Sequence, residues 1–171
     1  MLWMEVFSLP EIIFTIKAYT HRMIEAVIVH VIQDRKILLN YKKRGHGKGK
    51  WNGFGGKIEK GETPEKCAYR ETFEEGGVKL RNLEKLGVIK FYNVNGENWL
   101  VHVFRGNIDG EPKESEETFP RWFSLWDIPY EEMWEDDKYW LPLVIHGIKF
   151  QASFYFSGEE MLRFEIRGWK K

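Results

Sequence analysis

A glycine-dense stretch that runs straight into a capped, glutamate-rich helix restricts this chain more than any other feature. Residues 45–56 hold six glycines. Such a segment cannot be a helix and makes a poor strand, so it reads as a loop whose backbone can approach a ligand closely. Thr63 then suits an N-cap, Pro64 the first helical position and Glu65 the first turn. Good helix formers fill most of the run to Glu75, and Gly76-Gly77 offers the positive φ that ends a helix. Within this helix Glu71, Glu74 and Glu75 stand three and four residues apart, hence on one face. Like charges at that spacing cost about 0.2–0.5 kcal/mol per exposed pair, and the helix dipole disfavours anions near its C-terminus. A sequence selected for stability alone avoids this. A hard divalent cation removes the penalty, because it takes carboxylate oxygens and keeps waters for a phosphate.

The bland alternative is a solvated acidic face, and spacing weighs against it. Gly56, Glu62, Arg70, Glu71, Glu74, Glu75 and Gly77 stand in fixed register. With each required type at roughly 7% of residues, seven identities coincide on the order of once in 10⁸ positions.

Strand signals surround the helix. Residues 24–32 are rich in β-branched types, Gln33-Asp34-Arg35-Lys36 turns, and Ile37 to Tyr41 returns, which predicts a hairpin. Strand-like segments resume near 84–92, 99–105 and 120–125, and a second helix is expected over Pro142–Lys149. Phe150, Ala152, Phe154 and Phe156 alternate, Ser157 to Glu160 turns, and Leu162, Phe164 and Ile166 alternate again, a terminal hairpin. No repeat or interior linker interrupts this order, which suggests a mixed sheet flanked by helices.

The chain has 26 acidic and 26 basic residues, which argues against a broad nucleic-acid footprint but leaves room for a small anionic ligand. Cys67 is the sole cysteine, so no internal disulfide forms and a reducing, cytoplasmic compartment fits. No apolar run approaches the roughly 18 residues of a membrane span. The region before Met23 lacks the marks of a secretory signal. It reads as a dispensable extension over 1–22, or translation begins at Met23, with the working domain over 23–171. A monomer is expected, although the sequence does not fix the oligomeric state.

Gly56-x5-Glu62-x7-Arg70-Glu71-x-x-Glu74-Glu75-x-Gly77-Val78 resembles the Nudix box, with Thr72 where that family prefers an aliphatic residue. The resemblance implies an α/β fold, an α/β/α sandwich with a mixed β-sheet. It implies Mg²⁺, with Mn²⁺ as a substitute, held by Glu74 and Glu75 with help from Glu71 and the backbone carbonyl of Gly55. Glu117 is a candidate extra ligand or base. Arg70 is expected to orient the carboxylates while pairing with Glu62. The implied reaction is attack of water on an internal phosphorus of a nucleoside diphosphate linked to another group.

The flanks narrow the substrate. Lys42-Lys43-Arg44-Gly45, Gly49 to Lys57, Val101 to Phe104, Trp122-Phe123 and Met133-Trp134-x-Asp136-Asp137-x-Tyr139-Trp140-x-Pro142 are similar to the MutT-homologue oxidised purine nucleoside triphosphatases. That likeness covers about residues 24–168. It implies cleavage of a purine nucleoside triphosphate such as 8-oxo-dGTP to the monophosphate and pyrophosphate, cleansing the nucleotide pool. Asn52, Asp136 and Asp137 are then expected at the purine edge and Trp134 on its face. Lys42 is expected by the sugar or phosphates, Phe91 in the pocket wall, and Phe54 and Lys57 along the binding segment. The residue types suit the task. Asn offers a donor and an acceptor, two confined carboxylates cannot both ionise cheaply, and Trp is the best platform for a base. Val27, His46, Trp99 and Thr118 depart from the Thr, Phe, Met and Met of that family, which leaves the preferred purine open.

Structural readings stand beside these. Trp51, Trp122, Trp126 and Trp140 read as core or rim, His30 and His102 as structural, and Cys67 as packed inward. Another nucleotide substrate, such as ADP-ribose or a diadenosine polyphosphate, and a non-catalytic sensor on the same fold are the alternatives.

Overall fold

The computed structural model describes residues 8–10, 12–13, 22–94 and 96–168. The extension expected over 1–22 lies outside the described residues, apart from 8–10, 12–13 and 22.

β-branched residues extend β1 (Ile24–Gln33), and a two-residue turn returns the chain as β2 (Lys36–Lys42). Asp34 and Arg35 both take positive φ, 51° and 59°, the turn geometry that matches the right-handed twist of a hairpin. The elements that follow are β3 (Trp51–Asn52), β4 (Phe54–Lys57), α1 (Pro64–Gly76), β5 (Lys79–Asn93), β6 (Trp99–Asp109), β7 (Thr118–Ser124), α2 (Asp137–Ile145), β8 (Phe150–Ser157) and β9 (Glu160–Gly168). The strands make one sheet in the order β3-β2-β1-β6-β5-β8-β9, with β4 on β1 and β7 on β2. The β1–β6 and β5–β8 pairs are parallel and the others antiparallel, so the sheet is mixed, as the order of elements suggests.

Alternation divides the core between two faces. Val27, Val29 and Val31 point to α1, where they meet Leu38, Phe54, Cys67, Ala68, Leu80 and Phe104. Ile37, Leu39, Ile89, Val103, Phe150 and Phe154 face the other way, toward Trp140, Leu141 and Val144 of α2. The result is the expected α/β/α sandwich. Among the described residues no helix is long and apolar enough to cross a membrane.

Three segments differ from the sequence expectation. The glycine-dense stretch is not wholly loop, since residues 51–52 and 54–57 form β3 and β4. Its glycines serve close packing there: a Cβ on Gly55 would sit 2.1 Å from the Val27 carbonyl oxygen. The second helix starts at Asp137 rather than Pro142 and ends at Ile145, with Pro142 inside it. The missing Pro142 N–H loses one helical bond. Burial of Trp140 and Leu141 on the preceding turn, at roughly 1.5–3 kcal/mol for such a large apolar side chain, offsets that loss. In the terminal hairpin a register shift skips Leu162 in β9, so Met161 rather than Leu162 pairs with Phe156 and packs on the α2-side core, while β8 keeps its alternation.

The same glycine supplies a test of the packing. Gly55→Ala should destabilise the protein by about 3 kcal/mol, because the obstacle is backbone and cannot rotate away. Gly110→Ala, at φ 90° with nothing within 4 Å, should cost only about 1–2 kcal/mol of backbone strain. Urea unfolding of the two variants measures the contrast, and equal losses would contradict it.

Candidate active site

Local chemistry builds α1 as the sequence suggests. Thr63 caps it by accepting from the Lys66 N–H at 3.2 Å, Pro64 opens it, and Gly77 closes it at φ 65° with its N–H donating to the Phe73 carbonyl. Thr72 is fully buried, and its hydroxyl donates to the Ala68 carbonyl at 2.8 Å, which is why a polar residue is tolerated there.

Arg70 is the hub. Its Nε and a terminal nitrogen donate to both oxygens of Glu62, at 2.8 and 2.9 Å, the fork geometry a guanidinium favours. The other terminal nitrogen donates to Glu71 at 2.8 Å and Glu74 at 3.1 Å. The Arg70 fork, helped by the Glu59 N–H, holds the Glu62 carboxyl down at about 2. Glu71 and Glu75 behave oppositely. Burial pushes the Glu71 carboxyl up, against Arg70. Burial lifts Glu75 to about 7, against the Lys42 charge and bonds from the Gly55 backbone and Asn40. Glu74 stays more than half exposed. Gly56 is needed beside them, since a Cβ there would lie 2.3 Å from Glu71 Oε1. Burial lifts the nearby Cys67 thiol to about 12, so it is an inert packing group.

These residues suit a divalent cation. Two carboxylates are removed from water on one helix face without enough positive charge beside them, and hard oxygen donors are what such an ion takes. The set is not preassembled. Among the described residues no three acidic, histidine or cysteine groups converge as metal ligands, because Arg70 draws Glu71 and Glu74 to itself. Glu117 stands apart, exposed and bonded to Arg44 at 2.8 Å. Lys42 Nζ lies 3.9 Å from Glu75 Oε1. Asn40, which the sequence reading passed over, and Thr118, noted there only as a departure from the oxidised-purine family, complete this half of the site. Asn40 donates to Glu75 at 3.3 Å, and Thr118 Oγ1 donates to the Glu75 carbonyl at 3.2 Å. An amide directly after the apolar run Ile37-Leu38-Leu39 was the signal available in the sequence.

The second half sits by α2. Asp136 and Asp137 are buried rather than an exposed turn. Asp136 Oδ2 accepts from the Trp140 indole N–H at 2.8 Å, and Asp137 Oδ2 accepts from the Trp134 backbone N–H at 3.1 Å. Burial raises both carboxyls, and the charge of Asp136 raises Asp137 further. Trp134, His46 and Trp99 stack, with ring separations of 5.3 and 5.8 Å. Lys50 Nζ lies 5.0 Å from the Trp134 ring and Lys57 Nζ 5.2 Å from that of Trp99. Phe91 stacks on Phe154 at 5.7 Å on the α2 face of the sheet. The Asn52 side chain accepts from the Gly53 N–H.

One expectation needs correction. Phe54 does not line a binding segment; it is fully buried beneath α1, where a Cβ on Gly76 would lie 2.7 Å from its ring. Val27 is buried in the α1-side core. Trp51 and Trp140 are core as expected, whereas Trp126 is 89% exposed. His30 is fully buried, and that burial drops its imidazole to about 3, so it is a neutral core residue.

A mixed sheet between two helices, with an arginine-organised glutamate cluster on the helix after a glycine-rich strand, defines the Nudix class of hydrolases. The chain matches the NUDIX domain over residues 21–144 and belongs to that family. It is 45% identical over 147 residues to the oxidized purine nucleoside triphosphate hydrolase of Danio rerio, covering 84% of this chain and 92% of the relative. It is 43% identical over 143 residues to the protein of that name from Mus musculus, covering 82% and 92%. The crystal structure of a MutT protein from Bacillus halodurans superposes with a TM-score of 0.74 at 23% identity, over 84% of this chain and 97% of that one, a likeness of fold. Nudix hydrolases generally need divalent cations.

The raised Glu75 carboxyl gives a pH signature. Its folded value, about 7, lies above the ordinary 4.5. Its contribution is therefore fully present below about 4.5 and lost as pH rises through about 7. Cation-free protein should lose stability over that window by on the order of 3 kcal/mol from this group. Glu75→Gln should flatten the dependence and unfold at higher temperature at pH 7.5. Calorimetry in EDTA measures both, and an unchanged pH slope in the variant would refute the assignment.

Proposed function

We propose that the chain hydrolyses oxidised purine nucleoside triphosphates, of the 8-oxo-dGTP or 2-hydroxy-dATP kind, to the monophosphate and pyrophosphate, with Mg²⁺ as cofactor and Mn²⁺ able to replace it. Residues 23–171 are the working unit, and a reducing cytoplasmic setting suits its single thiol. The observation that carries the reading is the buried Asp136–Asp137 pair beside Trp134. Two adjacent buried carboxyls retain a proton near neutrality, so one donates while the other accepts. Such a pair matches the altered donor and acceptor pattern of an oxidised purine and gains less from a pyrimidine. The names carried by the fish and mouse relatives support the same substrate class.

The divalent cation, when bound, neutralises phosphate charge and lowers the pKa of a bound water. Glu74 and Glu75 would hold it, with Glu71 and the Gly55 carbonyl assisting and Glu117 as a further candidate ligand or base. Arg70 keeps the carboxylates in place through its fork on Glu62. Water attacks an internal phosphorus, the bond to the departing pyrophosphate breaks, and a carboxylate of α1 takes the proton from the water. Trp134 stacks on the base and Asn52 meets its edge, fixing the phosphates relative to α1. Lys42 and Lys57 supply positive charge along the polyphosphate.

A panel of 8-oxo-dGTP, 2-hydroxy-dATP, dGTP, dATP, ADP-ribose and a diadenosine polyphosphate, with products identified, tests the substrate. The oxidised purines should turn over fastest and yield pyrophosphate; no preference over dGTP and dATP would count decisively against the reading. Asp136→Asn keeps an acceptor for Trp140 but removes the shared proton. Loss of one base contact costs about 1–3 kcal/mol, so KM for the oxidised purine should rise roughly tenfold, with little change for a pyrimidine triphosphate. Glu74→Gln should abolish most turnover while leaving the fold intact, and full activity in that variant would remove the catalytic assignment.

A further inference from the structure

On β2 the apolar run Ile37-Leu38-Leu39 is followed by Asn40, and all four side chains are fully buried. Asn40 is the exception in polarity. Its amide nitrogen donates to Glu75 Oε2 at 3.3 Å, the orientation that suits an ionised, cation-binding carboxylate, which only accepts. Its Oδ1 is buried with no partner among the described residues. A buried acceptor left unpaired lowers stability. The leucines before it show what this strand carries where packing alone decides. The amide is therefore kept against packing.

Its effect falls on Glu75. Lys42, two residues along the strand and on the same face, lies 3.9 Å from Glu75 Oε1, while Asn40 meets Oε2. The two side chains address the two oxygens separately and so fix the plane of the carboxylate. The Gly55 backbone adds a further bond. Arg70, which binds Glu62, Glu71 and Glu74, has no bond to Glu75 among those described. Orientation of Glu75 thus depends on β2, not on the arginine.

We infer that Asn40 is a positioning residue for the divalent cation, holding the Glu75 carboxylate in the orientation in which it binds the ion. This rests on the proposed role of Glu75 as a ligand. Groups that orient a metal ligand typically change metal affinity by about 10–100-fold when removed. Leucine at position 40 keeps the branched four-atom skeleton and suits the apolar setting, is somewhat bulkier, and cannot donate.

The experiment uses the full chain without nucleotide. Binding of Mn²⁺ is measured by electron paramagnetic resonance for wild type and Asn40→Leu, and the melting temperature of each is measured in EDTA. The expected result is a tenfold or greater loss of Mn²⁺ affinity with an equal or higher melting temperature, because the unpaired carbonyl is gone. At saturating cation, KM for the nucleotide should stay within twofold of wild type. Mn²⁺ affinity within twofold of wild type would overturn the inference. So would a melting temperature that falls in step with affinity, the mark of a packing role. If Asn40→Leu does not fold, Asn40→Ala, which is smaller than the native side chain, is judged by the same affinity criterion. Wild-type protein that takes up no Mn²⁺ at all would instead remove Glu75 as a ligand, and that result is distinct from a variant that binds normally.

Discussion

Removing the carboxylates of Glu71 and Glu75 from water on one face of α1 is the constraint that organises the surrounding structure. Each buried charge needs donors, and each is served from a different direction. Arg70 reaches Glu71 from within the helix and is itself anchored on Glu62 across the turn. Lys42 and Asn40 reach Glu75 from β2. Gly56 has no side chain because Glu71 occupies that space. Thr118 ties the start of β7 to the Glu75 carbonyl, and the Lys113 N–H donates to that of Gly76, so the end of the helix is pinned at the same place. Position, charge and backbone shape are consequences of one electrostatic demand.

The two halves of the site pack on opposite faces of the sheet, and one short segment joins them. Residues 50–56 carry Lys50, which approaches the ring of Trp134, and end at Gly55 and Gly56, which touch Glu75 and Glu71. The proposed reading puts the base at one end of that segment and the phosphates at the other. Trp99, His46 and Trp134 stack, with an indole and an imidazole at two of the positions that depart from the residues expected in the oxidised-purine family.

Legibility differed by element for physical reasons. The β1–β2 hairpin and α1 could be read at once, because turn chemistry, caps and period lie within a few residues of each other. The start of α2 was misplaced because Pro142 is a strong local stop signal, while the burial of Trp140 that overrides it is a tertiary effect. The glycine segment looked like loop because glycine weakens strands in general; that a Val27 carbonyl would collide with any side chain at Gly55 is invisible without the partner strand. Phe54 looked like a binding residue from its place in a matching run, yet pleating turns it beneath α1.

The sequence by itself determined the reaction class. The spacing of Gly56, Glu62, Arg70, Glu71, Glu74, Glu75 and Gly77 is a local code, written along one loop and one helix, and helical geometry converts it directly into a cluster of carboxylates. Only the tertiary structure decided how those carboxylates are held and how their protons are biased. Desolvation of Glu75, the donors on β2 that face it, and the enclosure of Asp136 and Asp137 beside Trp140 all arise from residues far apart in the chain. Burial is a property of the packed whole, and no window of sequence contains it.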